Sequence, residues 1–119
     1  MARLSSTLKL VSGNALSSPL TLSASNTLSV TNPAEMSRVS VLHSAPTELA
    51  AVSTGSHYVY IKNIGTNSRV VEVRIAAGTA FASLAVGEFC FVPMKDALGV
   101  EVIALVGTEL IEYAIFKKA

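Results

Sequence analysis

Few residues in this 119-residue chain are of the kinds that do chemistry, and their spacing keeps them apart. There are two histidines, His43 and His57. A metal centre on a small barrel draws on two or three histidines and a carboxylate, often as H-x-H with later ligands. Neither histidine has a partner at i+2 or i+4, so each reads as a strand-end or interface residue. Cys90 alternates with Phe89 and Phe91 in a buried-looking strand. A catalytic thiol needs a base and an electropositive setting. Neither is near, and Cys90 reads as a small core residue. Glu72, Glu88, Glu101, Glu109 and Glu112 are spread over separate strands and turns. A glycosidase dyad of paired acids would also want a pocket-forming loop rich in aromatics, which the sequence lacks. The glycines sit in no GxxxxGK[ST] or GxGxxG context that leads into a helix. The residues therefore predict no catalytic, metal-binding or cofactor-binding site. They suit a protein that makes a surface.

Composition narrows what such a surface meets. The formal net charge of +1 offers no general electrostatic grip on nucleic acid or anionic lipid. Three Tyr, four Phe and no Trp are too few for base stacking along a basic groove. They also weaken the case for a sugar platform. Lys117 and Lys118 are most simply a solvated end. No apolar run approaches the roughly 18 residues of a spanning helix. Strands of an outer-membrane barrel would be enough only for the smallest such barrel. The stretch MARLSSTLKL lacks the apolar core of a signal peptide. A lone cysteine cannot make an internal disulfide, so the fold does not depend on an oxidising compartment. Half of the residues are hydrophobic and only 14% are charged, against about 25% in a typical soluble domain. A small domain cannot hide that surplus internally, so apolar area is expected to face another protein.

The elements that would position this surface are strands. Apolar residues alternate at Leu8 and Leu10, at Leu20, Leu22 and Ala24, at Leu28 and Val30, and at Val39 and Val41. In YVYIKNIGTN, Val59 and Ile61 share one face, with Tyr58, Tyr60 and Lys62 on the other. Val71, Val73 and Ile75 alternate with Glu72 and Arg74, and two longer runs follow, Val100 to Val106 and Leu110 to Phe116. Period-two segments broken by Gly, Pro and Asn about every ten residues predict antiparallel strands in a sandwich or barrel. Thr47 to Val52 reads as a turn or a short helix. Gly-Thr recurs at Gly65, Gly78 and Gly107, and Gly87-Glu88 precedes the Phe89 strand. Glycine followed by a polar residue suits a type II′ hairpin. Gly107-Thr108 should therefore join the last two strands in a terminal hairpin.

The length predicts one domain over residues 1–119, with two unlike parts. Residues 1–56 hold 19 Ser or Thr and 5 charges; residues 57–119 hold 5 and 12. So little charge is unusual for a water-exposed strand face. The first part reads as an arm lying along another protein, or as plain edge strands. The second part holds the best-defined strands.

The segments Tyr58 to Asn67, Val71 to Ile75, Leu84 to Pro93 and Ile111 to Ile115 resemble small β-sandwich structural proteins of tailed bacteriophages. In that group a Y-I-K-N-x-G strand is followed by L-x-x-G-E and proline, and the chain closes on an E-Y strand. The resemblance covers about Tyr58 to Lys118. It implies a jelly-roll-like, all-β antiparallel sandwich of the capsid decoration (cement) type. Such a protein would be a homotrimer made in the host cytoplasm and bound to the capsid exterior. There it would bridge subunits of the major capsid protein, binding neither nucleic acid nor membrane. A tail, neck or fibre component is the alternative, and a sugar-binding or enzymatic small barrel ranks far behind. Tyr58, Tyr60 and Lys62 are the candidate contacts with a neighbouring subunit or the capsid, and Gly65, Gly78, Gly87 and Gly107 the structural turns.

Overall fold

A computed structural model describes residues 2–31, 35–50, 56–76, 78–95 and 98–119. The described residues form ten strands: β1 (Ala2–Ser12), β2 (Leu20–Val30), β3 (Glu35–Leu42), β4 (Thr47–Ala50), β5 (His57–Asn63), β6 (Val71–Ile75), β7 (Ala80–Leu84), β8 (Phe89–Met94), β9 (Val100–Ala104) and β10 (Thr108–Lys117). They divide between two compact units. One comprises residues 1–32 with Ala119, the other residues 33–118. The boundary falls at Asn32–Pro33, so β3 and β4 belong with the later strands although their composition resembles that of the first 30 residues.

The larger unit is an all-β antiparallel sandwich. One sheet has the order β3-β10-β5-β8, the other β4-β9-β6-β7, and every adjacent pair is antiparallel. This interleaving of eight strands over two sheets is that of a jelly roll. Alternation decides which residues meet between the sheets. Val59, Ile61 and Ile111 from the first sheet, and Val71, Val73 and Val102 from the second, are all buried in one core. β-Branched residues supply most of it, as suits a pleated surface packed on one side.

The topology corrects two expectations. The last two strands form no hairpin: β9 lies between β4 and β6, whereas β10 lies between β3 and β5 in the opposite sheet. Gly107 instead turns the chain from one sheet to the other, with φ +63°. His43 donates its backbone N–H to the Gly107 carbonyl at 2.9 Å. A side chain at left-handed φ costs about 1–2 kcal/mol. Gly107→Ala is thus expected to lower stability by about 1 kcal/mol, read as a shifted denaturant midpoint with an unchanged m-value. The second correction concerns Thr47 to Val52, where residues 47–50 form the short strand β4, paired to β9 with a register shift between Glu48 and Ala50. Leu49 is buried in the core, and that burial overrides any local helical preference. Residues 51 and 52 lie outside the described residues.

The smaller unit is a long antiparallel hairpin of β1 and β2, in continuous register from Ala2↔Val30 to Ser12↔Leu20. At its tip the Ser12 hydroxyl accepts backbone N–H groups from Asn14 and Ala15, a local side-chain turn of the kind serine favours.

Candidate interaction surface

The outer face of the β3-β10-β5-β8 sheet follows from the register. Inward residues on β5 are Val59 and Ile61, so Tyr58, Tyr60 and Lys62 point outward, as the alternation predicts. Phe91 pairs with Tyr60 and Phe89 with Lys62, which puts both phenylalanines on the same outer face. Cys90 and Val92 turn in and pack on the core. The strand carrying Cys90 is therefore two-faced rather than buried throughout. Phe89 is 56% exposed. Across β10 and β3, Glu112 lies opposite Lys62 and Arg38, and Ala114 opposite Tyr60 and Met36. Met36 is 74% exposed.

Side chains on this face organise one another. The rings of Tyr58 and Phe91 stack with centroids 5.7 Å apart and planes 13° from parallel. The Lys118 ammonium lies over the Tyr58 ring at 4.9 Å, a cation–π contact. The Tyr60 hydroxyl donates to Glu112 at 3.3 Å, and Arg38 pairs with the same carboxylate at 3.4 Å. Partial burial, then the Glu112 charge and its hydrogen bond, raises the Tyr60 phenol above its ordinary range. Burial likewise raises the Cys90 thiol, partly offset by a backbone hydrogen bond from Ile61. A thiol shifted that way is less nucleophilic at neutral pH.

The opposite sheet has a different outer face. Glu72 and Arg74 on β6 point away from the core, with Glu101 beside Arg74 in the register. Arg74 Nε donates to Glu101 at 2.7 Å. One outer face thus mixes aromatic residues with Arg38, Lys62 and Glu112, and the other carries the Arg74–Glu101 pair beside Glu72.

The histidines do not meet. His43 follows β3, with Nδ1 3.2 Å from the Gly107 carbonyl, and His57 opens β5. Among the described residues no group of three or more His, Cys, Asp or Glu is placed to hold a metal ion.

The predicted turn glycines all lie in links between strands, for different reasons. Gly87 and Gly107 adopt positive φ. Gly78 does not; it closes the β6–β7 link by donating to the Ile75 carbonyl at 2.7 Å. Gly65 is required by crowding: a Cβ there would overlap the Glu109 carboxyl group. Glu109 is 1% exposed. Its carboxylate accepts backbone N–H groups from Arg69 at 2.9 Å, Leu110 at 3.1 Å and Asn67 at 3.5 Å. Beside it the buried Asn63 amide donates to the carbonyls of Arg69 and Leu84 and accepts from the Gly65 N–H. Neither residue stands out in the sequence, where Asn63 adjoins the Gly65-Thr66 turn and Glu109 is one of several scattered carboxylates. Both are buried braces that hold the β5–β6 link against β10.

No family model matches this chain, and no curated protein is significantly similar to it.

Proposed function

We propose that the protein is a structural component of a tailed-bacteriophage virion. In this reading it is a capsid decoration protein, made in the host cytoplasm and bound to the shell exterior as a homotrimer. It bridges neighbouring subunits of the major capsid protein. One observation carries the proposal: the outer face of one sheet of the jelly roll is lined by Tyr58, Tyr60, Phe89, Phe91 and Met36, with Phe89, Phe91 and Met36 exposed. Aromatic residues, Met and Arg are the types enriched at protein interfaces, where a buried Tyr keeps a polar tip for hydrogen bonding. Arg38, Glu112 and Lys62 add the polar fraction that such a contact carries. The resemblance of residues 58–118 to phage sandwich proteins supports the same reading.

Copy number per particle tests it. Quantitative mass spectrometry and immunogold labelling of purified virions are expected to find hundreds of copies spread over the head. Particles lacking the protein should rupture at lower temperature or milder osmotic shock. A handful of copies at one vertex or at the tail would replace this reading with a tail, neck or fibre role. Particles without the protein that stay equally robust would remove the cementing role.

A further inference from the structure

The β1–β2 hairpin is sorted by face over most of its length, with Val11 the exposed apolar exception on the hydroxyl side. In the register, Leu4 lies opposite Leu28, Leu8 opposite Ala24, and Leu10 opposite Leu22. These side chains share one face, interrupted by the Ser6–Asn26 pair. The other face carries the hydroxyls of Ser5, Thr7, Ser23, Ser25 and Thr27. Both charges of the hairpin, Arg3 and Lys9, are on that hydroxyl face, and no Asp or Glu precedes Glu35. The aliphatic face therefore has no charge at all. Leu8, Leu10 and Leu22 on it are 46%, 48% and 54% exposed. A two-stranded hairpin is marginal in water without further strands or a packed face.

We propose that this hairpin is a self-association arm, its aliphatic face packing on the same face of the hairpin in other copies of the chain. The proposal rests on the self-assembly part of the function proposed above and names the surface that performs it. Charge selects the occupant. The aromatic outer face of the β3-β10-β5-β8 sheet carries Arg38, Lys62 and Glu112. Pressing those groups onto a surface without polar partners would strip their water uncompensated. A second copy of the hairpin presents an equally uncharged face of the same length. Area selects the number. Eleven paired residues make a face about 37 Å long and about 10 Å wide, roughly 350 Å² per copy. Two such faces bury about 700 Å², below the roughly 1,000 Å² of a specific two-body interface, and a third copy about one axis raises the total to about 1,050 Å², shared among three contacts.

Adjacent residues on opposite faces give the test. Sedimentation velocity of the full chain at tens of micromolar is expected to show a trimer. Leu22→Asp should weaken association at least about 100-fold, as loss of a central apolar anchor does, while Ser23→Asp sediments as wild type. A monomeric wild type, or a Leu22→Asp variant that stays trimeric, would overturn the proposal. If Leu22→Asp melts the hairpin, cross-linking decides. In a Cys90→Ser background, Ala24→Cys should form interchain disulfides under mild oxidation and Ser25→Cys should not. Equal yields from the two would overturn the proposal. An intact trimer that fails to bind phage particles would count against the capsid role alone.

Discussion

Gly65→Ala is expected to destabilise the sandwich by at least about 3 kcal/mol, a large share of the 5–15 kcal/mol that holds a domain folded. The new methyl group would occupy the place of the Glu109 carboxyl, which can yield only by giving up its backbone hydrogen bonds. Its oxygens are held by the backbone N–H groups of Arg69, Leu110 and Asn67. Moving it strands donors, at about 1–3 kcal/mol for each one left unsatisfied. Urea titration measures the loss directly. The mechanism makes a sharper claim through a double-mutant cycle. Glu109→Ala is destabilising by itself, for the same stranded donors. Combined with Gly65→Ala it should cost clearly less than the sum, because the methyl group then fills space that the carboxyl has vacated. Additive losses would mean that Gly65 is needed for some reason other than Glu109.

The same brace sets an acid dependence. Burial pushes the Glu109 carboxyl upward, and the backbone N–H groups of Arg69, Leu110, Asn67 and Thr66 outweigh it, leaving the group below the ordinary carboxylate range. A carboxyl depressed in the folded state stabilises fully above its unfolded value and loses that contribution as pH falls through the folded one. Glu109→Gln should therefore flatten the acid limb of the stability curve, where pH falls into and below the ordinary carboxylate range, while lowering stability at neutral pH.

How far the sequence disclosed this molecule depends on the range of the interaction. Alternation over a few residues placed Val59 and Ile61 inward and Tyr58, Tyr60 and Lys62 outward on β5, because one face of that strand is core and the other is not. Alternation says nothing about which sheet a strand joins. The β9–β10 link looked like a hairpin because Gly107-Thr108 has hairpin chemistry; a crossing between sheets uses the same left-handed glycine. β4 was unreadable because four residues are too short for a period, and its identity rests on pairing with β9 some 50 residues away. The Gly65–Glu109 crowding spans a similar separation, and only the folded chain brings those two residues together. The change in composition at residue 56 reflects surface chemistry rather than a structural boundary. In the hairpin, Ser and Thr line the face that also carries Arg3, Lys9 and Val11, whereas in β3 Ser40 shares the outer face with Met36 and Arg38 and Ser37 lies on the other.

The two sides of β5 and its neighbour β8 should respond oppositely to truncation, which separates a role in folding from a role in docking. Ile61→Ala empties a fully buried site between the sheets. It is expected to cost about 2–5 kcal/mol and to lower the thermal midpoint by more than about 10 °C. Phe91→Ser removes a larger side chain, yet on the outer face it loses mainly the stack with Tyr58, worth about 1 kcal/mol. Binding should rank the two variants the other way. Refolded Ile61→Ala protein, held below its midpoint, should decorate purified particles as wild type does. Phe91→Ser should bind them at least about tenfold more weakly, as expected when an aromatic anchor leaves an interface. The comparison works because both substitutions lie in one sheet, on paired strands, and differ in the face they occupy. If Phe91→Ser proved the more destabilising, or bound without loss, the aromatic face would belong to the fold's own support. The decoration role would then lose the observation that carries it.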